Sequence, residues 1–296
     1  MENIMINDEL SAERENEHKY IILEILAIAA LATGGIFVKL SDLPPINTGF
    51  YRVLLSLPIL YPLVRKKLHL LGKKDIFLMM LAGGFLAGDL SLWNISFHLT
   101  TVANGNLLAN LVSFTIIPVS YFVFKERIPP YFLFGTVIVL LGVLCLMFGK
   151  IEPSVNNFIG DLLAFSTSIF YAAFMLIVYK LRNRVDAMTI MWVSAWGTCI
   201  VLLFVILLTE GIQIPKQIDS WYPLIGLTLM SQLCGQGGLS YCLGKVRASL
   251  SSVIVLLQPV IAAVYALILF GETLSSLEIL GIAITLTGIY ISKKAF

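Results

Sequence analysis

Ten stretches of mostly apolar residues divide this chain almost from end to end, at 20–40, 46–64, 76–97, 103–124, 131–148, 158–179, 187–209, 221–242, 249–269 and 278–292. A helix needs about 20 such residues to cross hydrocarbon. No water is present there to satisfy the backbone, so each N–H and C=O must be paired inside the segment or with a neighbour. The last stretch is the shortest. The connections are short and leave no room for an inserted soluble domain. Hydrophobic residues make up 58% of the 296 and charged residues 13%, against about 45–50% and 25% in soluble domains. The expected fold class is an all-α integral membrane protein with ten transmembrane helices.

Lysine and arginine then orient the spans, because loops that stay in the cytoplasm retain positive charge. Alternate connections hold Arg65, Lys66, Lys67, Lys73 and Lys74; Lys125 and Arg127; Lys180, Arg182 and Arg184; and Lys245 and Arg247. Arg14, Lys19, Lys293 and Lys294 at the termini fall on the same side. The opposite side has Lys39, Lys150 and Lys216, and Arg52 lies within a span. This bias places both termini in the cytoplasm and the protein in the inner (plasma) membrane. The net charge of +2 gives no reason to expect a nucleic-acid partner. The tail before residue 20 is polar and acidic and lacks the basic start and small-residue cleavage site of a signal peptide. It reads as a flexible cytoplasmic extension.

The pattern F-x-E-x8-G-x6-G occurs twice. Phe124, Glu126, Gly135 and Gly142 recur as Phe270, Glu272, Gly281 and Gly288, each shifted by 146 positions. Ile138/Ile284 and Leu140/Leu286 keep the register. Spans 1–5 and 6–10 are therefore two halves. Five is odd, so the second copy enters the membrane from the opposite face, the arrangement of many secondary transporters. The expected organisation is a tail at 1–19, a first five-helix repeat at 20–148, a linker at 149–157, a second repeat at 158–292, and a cytoplasmic C-terminus at 293–296. The paired glycines are expected to let helices approach closely, as is the Gly84-x-x-x-Gly88 match. Glu126 and Glu272 are expected to cap or brace the turns after spans 4 and 9.

Each half also ends P/S-x12-E-x8-G-x6-G, through Ser113…Glu126 and Pro259…Glu272. With ten spans in two halves, this resembles the drug/metabolite transporter superfamily, EamA type. Leu43-Pro44-Pro45…Phe50-Tyr51-Arg52 resembles that family's second span, and Trp93 to Ser113 its span 3–4 corner. The resemblance covers about residues 20–292. It implies transport of amino acids, amphiphilic cations or nucleotide-like metabolites, often as export. One departure is Ser113, where the second half has Pro259. The first-half proline comes later, at Pro118, so the bend in span 4 is expected to be displaced.

A charge in hydrocarbon usually faces a cavity or a partner, and two stand out: Arg52 and Asp89. Counted from the span ends, both lie about 9–12 Å below the outer boundary, as does Asn110. Trp93 and Asn106 sit one turn shallower. Asp89/Trp93 and Asn106/Asn110 are i, i+4 pairs and share helix faces. A polar cluster in the outer half of a cavity is expected. Two readings stand side by side: an Arg52–Asp89 ion pair that only ties helices together, or a site in which Asp89 binds a proton or substrate amine and Arg52 restrains it or meets a carboxylate.

The second half offers Gln232, Gln236 and Gln258, with Tyr171, Trp192, Trp196, Tyr241 and Tyr265 as nearby aromatics. These lie mid-membrane or toward the cytoplasm. Amides and aromatics suit an amphiphilic organic substrate better than a metal ion. Interhelical hydrogen bonding explains the glutamines as well as ligand contact does, and lipid or interfacial contact would explain each aromatic. No H-E-x-x-H, P-loop or G-x-G-x-x-G occurs, so no enzyme, metal centre or cofactor is expected. Cys145, Cys199, Cys234 and Cys242 sit in apolar runs and read as buried thiols. The expected function is secondary transport of a small organic metabolite by alternating access, with proton coupling or uncoupled exchange as its energetics. A lipid or lipid-linked-sugar flippase is the other class. The partners are a small-molecule substrate and the bilayer, and a monomer or homodimer fits equally.

Overall fold

The computed structural model describes residues 18–96, 99–100, 108–148, 158–271 and 274–295. The tail to residue 17, the linker at 149–157, Asn106 and Glu272 lie outside them. The described residues are helical with no strand. The segments are α1 His18–Leu40, α2 Pro45–Leu54 continued as Ser56–Val64, α3 Lys73–Ser96, α4 Val112–Phe122 and α5 Pro130–Met147. They continue with α6 Phe158–Leu181, α7 Ala187–Leu208, α8 in three pieces (Trp221–Gly226, Leu227–Gln236, Gly237–Cys242), α9 Ala248–Leu269 and α10 Ser276–Lys294. Seven of these are long and apolar enough to cross a membrane as they stand; α4 is a shorter apolar helix, and α2 and α8 are jointed. The ten expected spans are thus present as helical segments rather than as ten straight rods.

Local chemistry sets the helix starts. Pro45 and Pro130 occupy first helical positions, where a missing N–H costs nothing. Asp186 accepts from the Thr189 amide at 3.3 Å and caps α7. Ser275 and Glu278 form a capping box at the start of α10. That box lets α10 begin at Ser276, so the last span runs 19 residues and is not the short one expected.

Polar contacts between connections sort them onto two faces. On the face that carries the start of α1 and the end of α10, Lys67 pairs with Asp186 at 3.3 Å and Arg184 with Asp75 at 2.5 Å. On the other face, Glu210 accepts from the Ile46 and Asn47 amides at 3.2 and 3.1 Å. The two sets are counterparts. The end of α2 meets the start of α7 on one face, and the end of α7 meets the start of α2 on the other.

The repeated glycines meet each other. A Cβ on Gly288 would lie 2.9 Å from the Gly135 carbonyl, and one on Gly281 would lie 2.8 Å from the Gly142 carbonyl. α5 and α10, which end the two copies, therefore run antiparallel with their backbones in contact, as inverted copies require. The small residues also join the halves elsewhere. A Cβ on Gly235 of α8 would lie 2.7 Å from the Leu31 amide in α1, and Gly197 of α7 lies against the Met80 backbone of α3. In α3 the close approach is at Gly83, against Ser194, and not at the expected Gly84, where a Cβ would meet nothing nearer than 3.9 Å. Gly88 does abut a neighbour, the Phe170 ring.

Both α4 and α9 are broken in the same register. The chain turns at Asn110–Leu111 before Val112, and at Leu256–Leu257 before Gln258, again 146 apart. The bend in α4 is therefore not displaced toward Pro118, which sits inside the helix Val112–Phe122. In α9 the break precedes Pro259, which has no N–H to give the preceding turn. In α4, Ser113 stands in its place. The Leu256 amide turns to the Val253 carbonyl at 3.2 Å, and the Ser252 carbonyl accepts the Ser113 hydroxyl at 2.9 Å. One break is closed by a side chain from the other.

Candidate functional site

A cleft with about 980 Å³ of empty space, its open mouth included, lies between the two halves. Its mouth is lined by Gly35, Val38 and Pro45, at the end of α1 and start of α2, so it opens on the face away from the chain ends. Arg52, Asp89, Trp93 and Asn110 line it from the first half. Tyr171, Gln236 and Gln258 line the same cleft from the second half. The two polar sets that look separate along the chain are one site.

The breaks in α4 and α9 position much of this wall. Asn110 is at the first break and Gln258 just after the second, so both side chains leave the helix where its backbone is irregular. Non-helical backbone at membrane depth is tolerated where it lines a cavity. The π-helical stretch Leu227–Gln236 widens α8 in the same region, a local geometry frequent at functional sites. It carries both Gln232 and Gln236.

Arg52 and Asp89 do not form the ion pair of the first of the two readings. Arg52 Nε donates to Gln232 Oε1 at 2.9 Å, and the two charges interact only through space. Gln232 is buried and holds Arg52 from behind rather than lining the cleft. The Tyr171 hydroxyl donates to Gln236 Oε1 at 3.5 Å, which ties α6 to α8 at the cleft. An arginine and an aspartate on one wall without mutual contact can each take a ligand charge. The amides supply neutral donors and acceptors, and Trp93 and Tyr171 supply apolar faces.

Four of the five singled-out aromatics lie elsewhere. Tyr265 donates its hydroxyl to the Ala29 carbonyl at 3.1 Å, joining α9 to α1. Trp196 is 44% exposed and packs edge-on against Trp192. Trp192 donates its indole N–H to the Leu57 carbonyl at 3.1 Å, and Tyr241 stacks obliquely on Tyr20 beneath Arg182. Glu126 accepts from the Ala248 and Ser249 amides at 3.2 and 3.4 Å. It therefore caps the start of α9, in the other half, and not the turn after its own span. Phe124 packs edge-on against Tyr179 of α6. Cys199 and Cys242 are buried and Cys145 half-buried, but Cys234 is exposed, contrary to expectation.

A third charged residue type was missed inside the spans. Glu24 of α1 is fully buried, and neither carboxyl oxygen has a hydrogen-bond partner. It follows an acidic tail in the chain, which makes it look like the end of a solvated segment. Only its position four residues past the start of the apolar run could have distinguished it. No group of three or more metal-ligating side chains occurs among the described residues.

The chain is similar to a probable amino-acid metabolite efflux pump of Salmonella typhimurium, 23% identical over 94% of this chain and 95% of that one. An uncharacterized transporter of Archaeoglobus fulgidus is 25% identical over 90% of this chain and 96% of its own length. A crystal structure superposes with a TM-score of 0.79 at 16% identity, over 94% of this chain and 97% of the other, which shows the shared fold. The model of the EamA-like transporter family matches twice, at 18–148 and 158–293, once for each inverted half. The chain is a multi-pass membrane protein of the EamA-like transporter family.

Proposed function

We propose that this protein is a secondary transporter whose substrate is a small zwitterionic metabolite of amino-acid type. The observation that carries the reading is that Arg52 and Asp89 line one cleft without pairing. A substrate carboxylate would meet the Arg52 guanidinium, whose planar fork suits it, and an ammonium would meet Asp89. Trp93, Leu86 and Leu90 would accept the apolar part. The name of the Salmonella typhimurium relative, an amino-acid metabolite efflux pump, supports the same class.

Alternating access would follow from the inverted halves. In this conformation the cleft opens away from the chain ends, and the opposite half of the bundle is packed by Ile21, Ile28, Leu239, Val246, Leu250 and Ile254. With both termini in the cytoplasm, as the lysine and arginine bias implies, this is an outward-open state of a plasma-membrane protein. Exchanging the roles of the two halves would open the other side.

A thermal-shift screen of the purified protein in detergent tests the reading. The ligands are amino acids, nucleosides, nucleotide-like cofactors and organic cations. A ligand at 100 times its Kd adds about 2.7 kcal/mol to the folded state. The expected result is stabilisation by amino acids that is lost in Asp89→Asn and weakened in Arg52→Gln. Stabilisation by lipid headgroups alone would move the assignment to a flippase and leave the Asp89 cluster structural.

A further inference from the structure

We propose that Glu24 is a second acidic site on the transport path, a carboxyl that binds and releases a proton on the closed side of the cleft floor. This rests on the alternating-access reading above, but its test requires no substrate. Glu24 lies on α1 one turn before Ala27, which packs on Gly238 of α8. It sits on the side of the cleft toward the chain ends, beyond the Tyr171–Gln236 contact.

Both Glu24 oxygens and the Ser251 hydroxyl that faces them from α9 are buried without a close hydrogen-bond partner. Buried polar atoms are nearly always satisfied, so a carboxyl without a close partner inside a membrane span stands out. An ionised carboxylate in this position would be uncompensated. The group must either carry a proton or take a cation when its surroundings open.

The groups facing Glu24 leave it the one strong acid of its pocket. α6 presents Tyr171, α8 presents Cys242 and α9 presents Ser251. Tyr20, on its own helix, is engaged with Tyr241 and Lys245. Arg182 interacts with Cys242 but gives its hydrogen bonds to the Val185 and Tyr241 carbonyls. No cation pairs with Glu24 among the described residues. A proton needs one oxygen lone pair, which the carboxyl has to spare, whereas Na⁺ or Ca²⁺ would require several converging oxygens.

The same Tyr171 senses both Asp89 and Glu24. It stands between an acid that reaches the open cleft and an acid that does not. When the cleft closes and the opposite side opens, Glu24 would become wetted and exchange its proton with the water of that face. The step is a reversible protonation of one Glu24 oxygen by water, with no other bond made or broken.

Infrared difference spectroscopy of the full chain in lipid bilayers, stepped across pH, reads this directly through the protonated carboxyl C=O band. The expected result is a titrating band present in wild type and in Asp89→Asn and absent in Glu24→Gln. A titrating band indifferent to Glu24→Gln overturns the proposal. So does a Glu24 band present at every pH at which the protein is folded, because that proton never leaves. A titration displaced by NaCl but not by KCl at equal ionic strength would replace the proton with sodium. If Glu24→Gln does not fold, Glu24→Asp should keep the band with an altered midpoint, and an unaltered midpoint counts against the site.

Discussion

At the scale of single residues, close backbone approach explains the repeated glycines. A Cβ on Gly142 would lie 2.5 Å from the Thr285 amide, and neither helix backbone can yield without moving its neighbours. Gly142→Ala should therefore cost about 1–3 kcal/mol, the usual range for overpacking. Gly84→Ala, with nothing nearer than 3.9 Å, should be neutral or gain up to about 1 kcal/mol from helix propensity. Unfolding of both variants in mixed micelles checks the contrast, and equal losses would disprove it. The F-x-E-x8-G-x6-G spacing alone marks these glycines as special. It does not reveal their partners, because the first glycine of each pair packs on the second glycine of the other copy. Gly84 and Gly83 differ by one helical position, which decides how closely a residue approaches α7, and a local pattern does not record that.

At the scale of elements, two helix starts are held from across the bundle, α2 by Glu210 and α9 by Glu126. Glu126 satisfies two exposed amides of α9, and a helix N-terminus also favours negative charge. Glu126→Ala should destabilise the protein by about 0.5–2 kcal/mol, as loss of a cap does, with Glu126→Gln intermediate. Faster amide hydrogen exchange should appear in the first turn of α9, and its absence would refute the capping role. Asp186 caps α7 from its own chain segment. Burial pushes its carboxyl up, but the Thr189 hydroxyl and amide and the Lys67 ammonium outweigh that and hold it below the ordinary value. A depressed folded-state value means that its contribution is complete above the unfolded value of about 3.9. The contribution is lost as the pH falls through the folded value. The melting temperatures of wild type and Asp186→Asn should therefore differ by a constant amount from pH 8 to about pH 5 and converge only in stronger acid. Convergence at neutral pH would show that the cap does not depend on charge.

At the scale of the molecule, the inverted halves predict unequal access to reagents. With the native cysteines replaced, Val38→Cys at the cleft mouth should react with an impermeant thiol reagent from the periplasmic or external side. Glu24→Cys should stay protected in the same state. Lys66→Cys should react only from the cytoplasm. Labelling of Lys66→Cys from outside would reverse the assigned orientation.

The sequence by itself determined that this chain is a membrane protein built as two inverted copies. Both facts are written in local quantities: the length of each apolar run, the charge of each connection, and a motif whose period spans an odd number of spans. It also contained Arg52, Asp89, Trp93, Asn110, Tyr171, Gln236 and Gln258, but as two sets on separate helices. Only the tertiary structure decided that they line one cleft, that Arg52 bonds to Gln232 instead of Asp89, and that Trp196 and Tyr265 face elsewhere. The physical reason is that an aromatic or amide on a membrane helix is equally suited to lipid, to a neighbouring helix or to a cavity. Which one it meets depends on the helix's rotation and on the breaks in α4 and α9. Those follow from packing across the two halves, and no single segment encodes them.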